Sequence, residues 1–523
     1  MKTTCSFLHI FFQKFVLLLK VLIGSVVLLS PTIAHAADGD FVWAKGLGQA
    51  TDDMGYGIFV DSVGNVYTTG YFQDTVDFDP GPRTVELTSA GFNDIFITKL
   101  DSSGSLVWAK RIGGGFDDIG LSIFVDSAGN VYTTGYFQGT NVNFNPGAGT
   151  APLTSSGSAD IFISKLDSDG NYVGAWAMGG TTFDYGYGIF VDSTGNIYTT
   201  GYFQNTVDFN PGSGAFPLTS AGSQDIFISK LNSDGSFVWA KRIGAAAADV
   251  GLGISLFSTG NVYITGWFQG TNIDFDPGAA VFPLTSSNGS YDIFVSKLDS
   301  NGNFVWAKAM GGISEDIGQA VSVDTLGNVY TTGWFNDTAD FDPGAGTALL
   351  TSTGSADIFV SKLDNGGNYV WARAMGGPSS ADVGYDIGID PSGNVYTTGS
   401  FQGTDVDFDP GTGTFPLTSA GNEDIFISKL NSSGSFVWAK AMGGPSTDYG
   451  YDIAVSPTGA VHTTGYFRGT ADFDPGPGTF NLVSAGFEDI FISKLAGPDP
   501  VIDTAFPWAM FLPAIIGKAQ AQP

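Results

Sequence analysis

The acidic residues with the clearest potential for chemistry occur in pairs that flank a phenylalanine ahead of a Pro-Gly dipeptide. Five segments read Asp-Phe-Asp-Pro-Gly, with the acids at Asp77 and Asp79, Asp274 and Asp276, Asp340 and Asp342, Asp407 and Asp409, and Asp472 and Asp474. Carboxylates beside a turn that exposes carbonyl oxygens offer the ligands that calcium prefers. The same spacing is typical of Asx turns. A related segment has Asn143 and Asn145 instead, which suits a turn better than a cation. We predict turns, with calcium as the alternative.

A second set of polar residues follows a recurring phenylalanine. Six are amides and one is an arginine: Gln73, Gln138, Gln204, Gln269, Asn336, Gln402 and Arg468. Side-chain amides both donate and accept hydrogen bonds, so a ring of them can bind a sugar or a peptide. The alternative is that they hydrogen-bond to the loop backbone. Arg468, together with Arg83, makes this set unequal where the last and first copies of the pattern meet.

Candidates for catalysis are few. The only cysteine is Cys5, and His462 is the only histidine after residue 36. Thiolate chemistry and multi-histidine metal sites are therefore excluded from the main part of the chain. Within a strand pattern, His462 is predicted to be packed in the core. We expect no catalytic residues and no enzymatic activity; the alternative, a glycan hydrolase or lyase, requires residues unique to single copies.

These residues recur because the chain contains seven copies of one unit of about 66 residues. Three markers each occur seven times. They are Trp43, Trp108, Trp176, Trp239, Trp306, Trp371 and Trp438; Gly70, Gly135, Gly201, Gly266, Gly333, Gly399 and Gly465; and Asp94, Asp160, Asp225, Asp292, Asp357, Asp424 and Asp489. An aspartate also precedes the first strand of each copy, and its recurrence predicts a structural bond to loop amides. These are Asp53, Asp118, Asp184, Asp249, Asp316, Asp382 and Asp448.

Each copy predicts four short strands, which in the second copy are residues 121–125, 131–137, 161–166 and the segment reaching Trp176. The strands are apolar on both faces, so both faces of each sheet are predicted to be covered. This favours an all-β, seven-bladed β-propeller with four antiparallel strands per blade over a solenoid. Residues 41–45 form a strand with no inner strands before it, and the seventh copy ends at Leu495 without a fourth strand. We predict that the N-terminal strand closes the ring, with residues 506–510 as the alternative.

The repeat resembles the SBBP-type β-propeller repeat family of bacteria. The resemblance lies in the run Val-Asp-Ser-Val-Gly-Asn-Val-Tyr-Thr-Thr-Gly at residues 60–70 and in Asp-Ile-Phe-Ile-Thr-Lys-Leu at residues 94–100. It extends over about residues 41–495. It implies the propeller fold and defines no catalytic residues. Phe257 and Ser456 replace the hairpin aspartate in the fourth and seventh copies, which indicates that this aspartate is a turn residue.

The two ends of the chain differ from the repeats. Residues 1–36 have a basic start, an apolar run and a small-x-small site ending at Ala36, which predicts a cleaved signal peptide. Residues 37–495 form the predicted propeller, and residues 496–523 form an apolar tail rich in proline. This tail is interpreted as disordered, packed on the propeller, or a sorting signal. Both apolar runs are short for a bilayer span, so no transmembrane span is expected after cleavage.

The formal net charge of −30 argues against nucleic acid as a partner. From the predicted signal peptide we expect a protein that is secreted or on the cell surface. We expect it to be a monomer that binds an extracellular polysaccharide or protein through enlarged loops on one face. A purely structural envelope protein is the remaining alternative.

Overall fold

The computed structural model of the protein describes residues 36–378 and 380–498. These residues are all-β: the strands are joined by turns and loops, and the one helical element is a 3-10 turn at Ser287–Gly289. Within the described ranges, no helix has the length and apolar character needed to cross a membrane.

The strands follow the seven sequence repeats. The N-terminal strand is β1 (Phe41–Leu47), and repeat one has β2 (Met54–Val60), β3 (Val66–Phe72), β4 (Thr75–Asp77), β5 (Glu86–Thr88), β6 (Asp94–Leu100) and β7 (Leu106–Ile112). Repeat two has β8 (Ile119–Val125), β9 (Val131–Phe137), β10 (Val142–Asn143), β11 (Pro152–Leu153), β12 (Asp160–Leu166) and β13 (Tyr172–Met178). Repeat three has β14 (Tyr185–Val191), β15 (Ile197–Asp208), β16 (Pro217–Leu231) and β17 (Phe237–Ile243). Repeat four has β18 (Val250–Leu256), β19 (Val262–Gln269), β20 (Ile273–Asp274), β21 (Pro283–Leu284), β22 (Tyr291–Leu298) and β23 (Phe304–Gly312).

The remaining repeats have the same plan. Repeat five has β24 (Asp316–Val323), β25 (Val329–Asp340), β26 (Leu349–Leu363) and β27 (Tyr369–Met375). Repeat six has β28 (Val383–Ile389), β29 (Val395–Phe401), β30 (Val406–Asp407), β31 (Pro416–Leu417), β32 (Asp424–Leu430) and β33 (Phe436–Met442). Repeat seven has β34 (Tyr449–Val455), β35 (Val461–Asp472) and β36 (Asn481–Leu495). In every repeat the acid-pair loop itself contains a small hairpin, formed either by short separate strands or by extensions of the second and third strands, which the sequence did not predict.

Each repeat forms an antiparallel sheet in which the strands pair in chain order, as β2-β3-β6-β7 does in repeat one. Repeats four and five join into one eight-stranded sheet, because Gly311 and Gly312 at the end of β23 pair with β25. The equivalent glycine makes a single bridge elsewhere, for example between Gly113 and Asn143. No sheet of the described residues closes on itself.

The middle strands form because both of their faces are covered. All seven residues of β3 are buried, and Phe72 and Phe96 are fully inaccessible. The two central threonines of the strand, Thr68 and Thr69, are buried as well and bond to β6: Thr69 Oγ1 donates to the carbonyl of Phe96 at 2.9 Å, and the Thr68 hydroxyl contacts that of Thr98. Polar atoms in the core are thereby satisfied, which a buried hydroxyl requires.

Consecutive repeats are tied together through a lysine on the third strand. Lys230 Nζ lies 4.8 Å from the centre of the Tyr198 ring and donates to the carbonyl of Ser300, in the next repeat, at 3.2 Å. Trp239 Nε1 donates to the same carbonyl at 3.4 Å. In repeat two the tryptophan comes two residues later, and the ring of Trp176 folds back over Gly174 toward the turn of the next repeat.

The N-terminal strand completes the sheet of the last repeat. β1 pairs antiparallel with β36, with Phe41 opposite Leu495 and Leu47 opposite Ile490. Residues just before β1 take the place of the missing turn: Lys429 Nζ donates to Asp38 Oδ2 at 2.6 Å. The alternative closing segment, residues 506–510, lies outside the described residues, as do residues 1–35 of the predicted signal peptide and the tail beyond residue 498.

Candidate functional site

Loops between repeats and loops between second and third strands lie at the same end of each sheet, because the four strands are antiparallel in chain order. We call this the loop end. A buried aspartate at the start of the first strand holds it together. Asp118 accepts the backbone N–H of Gly114 at 2.7 Å and that of Gln138 at 3.0 Å. The same two bonds recur from Asp53, Asp184, Asp249, Asp316, Asp382 and Asp448. Burial raises the pKa of Asp118 to about 7.

A second buried aspartate starts the third strand, beside the glycine that follows the fourth. A Cβ on Gly179 would lie 2.0 Å from Cγ of Asp160, so only glycine fits. Burial raises the pKa of Asp160 to about 6. In two repeats an arginine neutralises this carboxylate: Arg111 lies 2.5 Å from Asp94 and Arg242 lies 2.6 Å from Asp225. The other repeats have alanine or glycine at the arginine position.

The predicted acid pairs form Asx turns. Asp274 Oδ1 accepts the N–H of Asp276 at 3.0 Å and of Phe282 at 2.9 Å, and Asp276 Oδ1 accepts that of Gly278 at 2.7 Å. The pattern recurs at Asp77 and Asp79, Asp340 and Asp342, Asp407 and Asp409, Asp472 and Asp474, and Asn143 and Asn145. Among the described residues, no three or more histidine, cysteine, aspartate or glutamate side chains are grouped to hold a metal. Calcium binding stays a prediction.

The predicted ring of amides lies at the loop end, because each of these residues donates its backbone N–H to the buried aspartate described above. Gln138, Gln204 and Gln402 are half-buried there. The side chain of Gln73 donates to Asn93 Oδ1 at 2.6 Å, so part of its hydrogen-bonding capacity is used locally. Arg83 lies in the acid-pair loop of repeat one, where Nε is 2.8 Å from Asp79 Oδ2.

Two of the predicted residues, Gln269 and Asn336, line one depression of about 590 Å3 between repeats four and five. Gln269 Nε2 donates to the carbonyl of Gly289 at 2.7 Å, and Asn336 Nδ2 donates to that of Glu315 at 3.0 Å. Tyr291 contributes an aromatic ring to the same depression. The depression therefore brings together amide, carboxylate and aromatic side chains from two neighbouring repeats. Gln269 and Asn336 hold equivalent places in these repeats.

Asp52, Glu488 and Arg468 form a cluster at the junction between repeats seven and one. Of these three residues, the sequence had indicated only Arg468. The carboxyl of Glu488 hydrogen-bonds to that of Asp52, and Arg468 lies 3.8 Å from Glu488 and over the exposed ring of Phe487. Burial and the adjacent Asp52 raise the pKa of Glu488 to about 7, while Arg468 lowers it. A carboxyl that titrates near neutrality is suited to proton transfer.

A cavity of about 170 Å3 is bordered by the first strands of all seven repeats. Asp386 and Asp452 project into it, and their carboxyl groups are hydrogen-bonded to each other. Asp452 is half-buried beside the cavity. Burial and the neighbouring Asp386 raise its pKa well above the usual range. Asp452 Oδ2 accepts the N–H of Ile58, and Asp386 Oδ2 that of Ile453. Sequence reasoning missed this pair; the signal was aspartate where five repeats have glycine, serine or alanine.

His462 takes the place of the tyrosine that lies beside the third-strand lysine in the other repeats. The imidazole is fully buried, makes an edge contact with Trp43, and neither ring nitrogen has a hydrogen-bond partner. Burial, reinforced by Lys494, lowers the pKa of His462 to about 3, so the ring is neutral. It is a packed core residue, as its place in the strand pattern predicts.

Comparison with known proteins agrees with this architecture. The family model described as SBBP, a beta-propeller repeat, matches residues 107–145 and 370–405. Two regions of the chain are thus similar to the SBBP repeat. These matches fall on β7 to β10 and on β27 to β29, and they include the fourth strand of one repeat and the first two of the next. The SBBP model therefore recognises the segment that links neighbouring repeats.

Two curated proteins are similar over part of their length. The uncharacterized WD repeat-containing protein L264 of Acanthamoeba polyphaga mimivirus is 25% identical over 511 residues, which cover 83% of this chain and 36% of that protein. The regulatory protein FlaEY of Caulobacter vibrioides is 26% identical over 174 residues, 33% of this chain and 17% of that protein. The chain thus spans well under half the length of either relative.

Solved structures with a similar course of the chain have low sequence identity. The structure of U3-55K is 8% identical, with a TM-score of 0.42 over 88% of this chain and 99% of that one. Sqt1 from Chaetomium thermophilum is 9% identical, with a TM-score of 0.40 over 88% and 100%. A polysaccharide lyase, an ulvan lyase bound to a GlcA–Rha3S saccharide, is 13% identical, with a TM-score of 0.41 over 89% and 96%.

Proposed function

We propose that the seven repeats close into a seven-bladed β-propeller whose loop ends form one face. Three contacts across the junction of repeats seven and one support the closure. β34 contacts β2, as every other pair of consecutive first strands does. Lys494 Nζ and Trp43 Nε1 both donate to the carbonyl of Ser102, repeating the bonds between other neighbours. The pairing of β1 with β36 supplies the fourth strand of the last blade.

On this scaffold the protein acts as a non-catalytic extracellular binding protein that engages a polysaccharide through its loop face. The observation that carries this proposal is the buried aspartate of each repeat. It fixes the residue after the recurring phenylalanine, an amide or an arginine, at an equivalent place in each repeat. A rigid scaffold that repeats the same polar group is suited to multivalent contact with a repeating polymer. An extracellular location rests on the predicted signal peptide, residues 1–36.

Binding of the purified full chain to an array of polysaccharides and extracellular proteins, with and without EDTA, tests this function. The matched variant carries Gln138→Ala, Gln204→Ala and Gln402→Ala together. It keeps the backbone N–H groups that bond to the buried aspartates and removes only the side chains. We expect the wild-type chain to bind at least one polysaccharide and the triple variant to bind it several-fold more weakly. An array on which only protein ligands are captured would redirect the proposal to a protein partner, and an empty array would refute it.

A glycan-active enzyme is the second candidate, and the junction cluster of Asp52, Glu488 and Arg468 favours it. These residues occur together in no other repeat, and an asymmetric set is what catalysis requires. The two carboxyl groups are in hydrogen-bond contact, whereas the acids of a glycosidase lie about 5 Å or more apart. The cluster therefore resembles a single shared-proton acid or base rather than a hydrolase pair.

Release of reducing ends, or of unsaturated sugars absorbing in the ultraviolet, from the polysaccharides that bind would reveal such an activity. Glu488→Gln is expected to abolish it, whereas Glu423→Gln, at the equivalent place in repeat six, is the matched control. Turnover that survives Glu488→Gln would remove the cluster from the mechanism, and no turnover on any bound polysaccharide would leave the binding function alone.

A further inference from the structure

We propose that the depression between repeats four and five is a saccharide subsite for hydroxyl-rich glycans that carry no acidic groups. This inference rests on the proposed function and names the place and the class of ligand. The first observation is that one loop of repeat four is a residue longer than its counterparts in the other repeats. Between the second strand of the acid-pair hairpin and the aspartate of the third strand, repeat four has Ser-Ser-Asn-Gly-Ser-Tyr, one residue more than the corresponding segment of repeat three.

The extra residue changes how this loop packs. In repeats one, two, three, six and seven, the loop glycine lies directly against the loop that leads into the next repeat. A Cβ on Gly157 would come 2.3 Å from Thr181, and one on Gly222 would come 2.3 Å from Ala246. The corresponding residue of repeat four, Gly289, has no such neighbour within 4 Å. The insertion therefore turns the loop glycine away from this neighbour, while Ser290 Oγ still donates to the carbonyl of Gly312 at 3.4 Å, and the depression lies beside the turn.

The loop of repeat four at residues 286–291 is held in a defined conformation. Ser287–Gly289 forms the 3-10 turn, with Asn288 in the left-handed region at φ 52. Ser290 Oγ donates to the carbonyl of Ser287 at 2.8 Å, and Gln269 donates to that of Gly289. The backbone N–H of Ser287 also donates to Asp292 Oδ2 at 2.9 Å, so both ends of the turn are bonded to the rest of the repeat. The depression is thus built by the fold, which lowers the entropy lost on binding.

One wall of the depression is aromatic. The ring of Tyr291 packs against Trp267, with centroids 4.3 Å apart, and this contact fixes its orientation. Half-buried tyrosine side chains present an apolar face and a polar edge. Sugar rings have the matching surfaces, since their C–H groups form apolar faces between hydroxyls. The volume of about 590 Å3 lies in the range of small-molecule pockets.

The polar groups favour a ligand that donates hydrogen bonds. Gln269 and Asn336 each use an N–H on the protein backbone, which leaves their carbonyl oxygens as acceptors. Glu315 and Asp337 add carboxylates, of which Asp337 already accepts from Ser314 Oγ at 2.5 Å. No lysine or arginine is among the residues that border the depression. Hydroxyls satisfy such a set, whereas the carboxylate of a uronic acid would be repelled.

Calorimetric titration of the full chain with neutral hexose oligosaccharides and with uronate oligosaccharides tests the subsite. The variants are Tyr291→Gln, which copies the residue of repeat three, and deletion of Asn288, which restores the loop length of repeat three. Gln224→Ala, at the place of Tyr291 in repeat three, is the matched control. We expect both variants to weaken neutral-sugar binding at least tenfold, the control to leave it unchanged, and uronates to bind at least tenfold more weakly than neutral sugars.

The outcomes separate this inference from the proposed function. Polysaccharide binding on the array that is unaffected by Tyr291→Gln and by the deletion refutes the subsite and leaves the function standing. Preference for uronates refutes the ligand class. A wild-type chain that binds no glycan refutes both. Melting temperatures close to that of the wild type confirm that the variants are folded; should the deletion unfold the repeat, Tyr291→Gln alone decides.

Discussion

Arg242 is one of two arginines that neutralise a buried carboxylate between repeats. Its replacement by alanine tests how much an unpaired carboxylate at this place lowers the free energy of unfolding. The guanidinium lies 2.6 Å from Asp225, whose side chain is fully buried. Asp160 is the same residue in a repeat without the arginine, and burial raises its pKa from 3.8 to about 6. In Arg242→Ala, Asp225 takes on this environment, because the rest of the site is unchanged in type.

The expected loss of folding free energy in Arg242→Ala follows from the pKa shift of the buried aspartate. At about 1.4 kcal/mol per pKa unit, a rise from 3.8 to about 6 destabilises the ionised folded state by about 3 kcal/mol. Because the arginine side chain is 35% exposed and screened by solvent, its removal is expected to lose less, about 1–2 kcal/mol at pH 8. The folded pKa exceeds the unfolded one, so the penalty is absent below the unfolded pKa and grows as pH rises through the folded pKa. The loss should therefore shrink by half or more at pH 5.

Denaturant unfolding followed by tryptophan fluorescence at pH 5 and pH 8 measures both values. The reverse change provides the control: Ala177 lies opposite Phe162 in the register in which Arg242 lies opposite Phe227. Ala177→Arg should therefore stabilise the protein at pH 8 and have little effect at pH 5. Equal losses for Arg242→Ala at the two pH values would show that the arginine acts by packing, and the electrostatic reasoning would be wrong.

Three further predictions concern the closing repeat. Asp452→Ala removes the acceptor of an inner-strand amide of repeat one, so we expect a loss of about 1–3 kcal/mol and faster hydrogen exchange in β2 and β34; unchanged exchange there would contradict this. His462→Tyr combined with Ser456→Asp restores the tyrosine–aspartate hydrogen bond of other repeats and should stabilise by about 1 kcal/mol, with positive coupling in a double-mutant cycle; additive effects would exclude the bond. Trp43→Ala should lose about 3–5 kcal/mol in denaturant unfolding, and a loss below 1 kcal/mol would argue against a stabilising β1.

The repeated features were predictable because they are encoded seven times. The aspartate before each first strand was predicted to bond to loop amides, and Asp118 does so with Gly114 and Gln138. Asn143 and Asn145 indicated turns, and the hydrogen bonds of this segment are those of Asx turns. Local spacing decides such features, since the partners lie within a few residues or one strand of each other.

The features that distinguish single repeats were harder to predict. Asp386 and Asp452 follow a β-bulge, which the register shifts between Gly384 and Asp386 and between Gly450 and Asp452 reveal. Alternation along a strand no longer tells which side a residue faces once a bulge has been inserted. The hydrogen bond between Asp52 and Glu488 joins residues from opposite ends of the chain, so no local pattern contains it. The depression beside Tyr291 depends on one extra residue, a signal that is small against ordinary loop variation.

The pairing of β1 with β36 imposes an order on biogenesis. The strand β1 leaves the ribosome before the seven repeats, yet its partner β36 is made only after six of them have been synthesised. Until then the chain has an unfilled strand position at one end and an orphan strand at the other, and both are open to mispairing. The N–H of Gly39 can bond to the carbonyl of Ala496 only after repeat seven has been made. The sheet of repeat seven is therefore the last of the seven that can be completed.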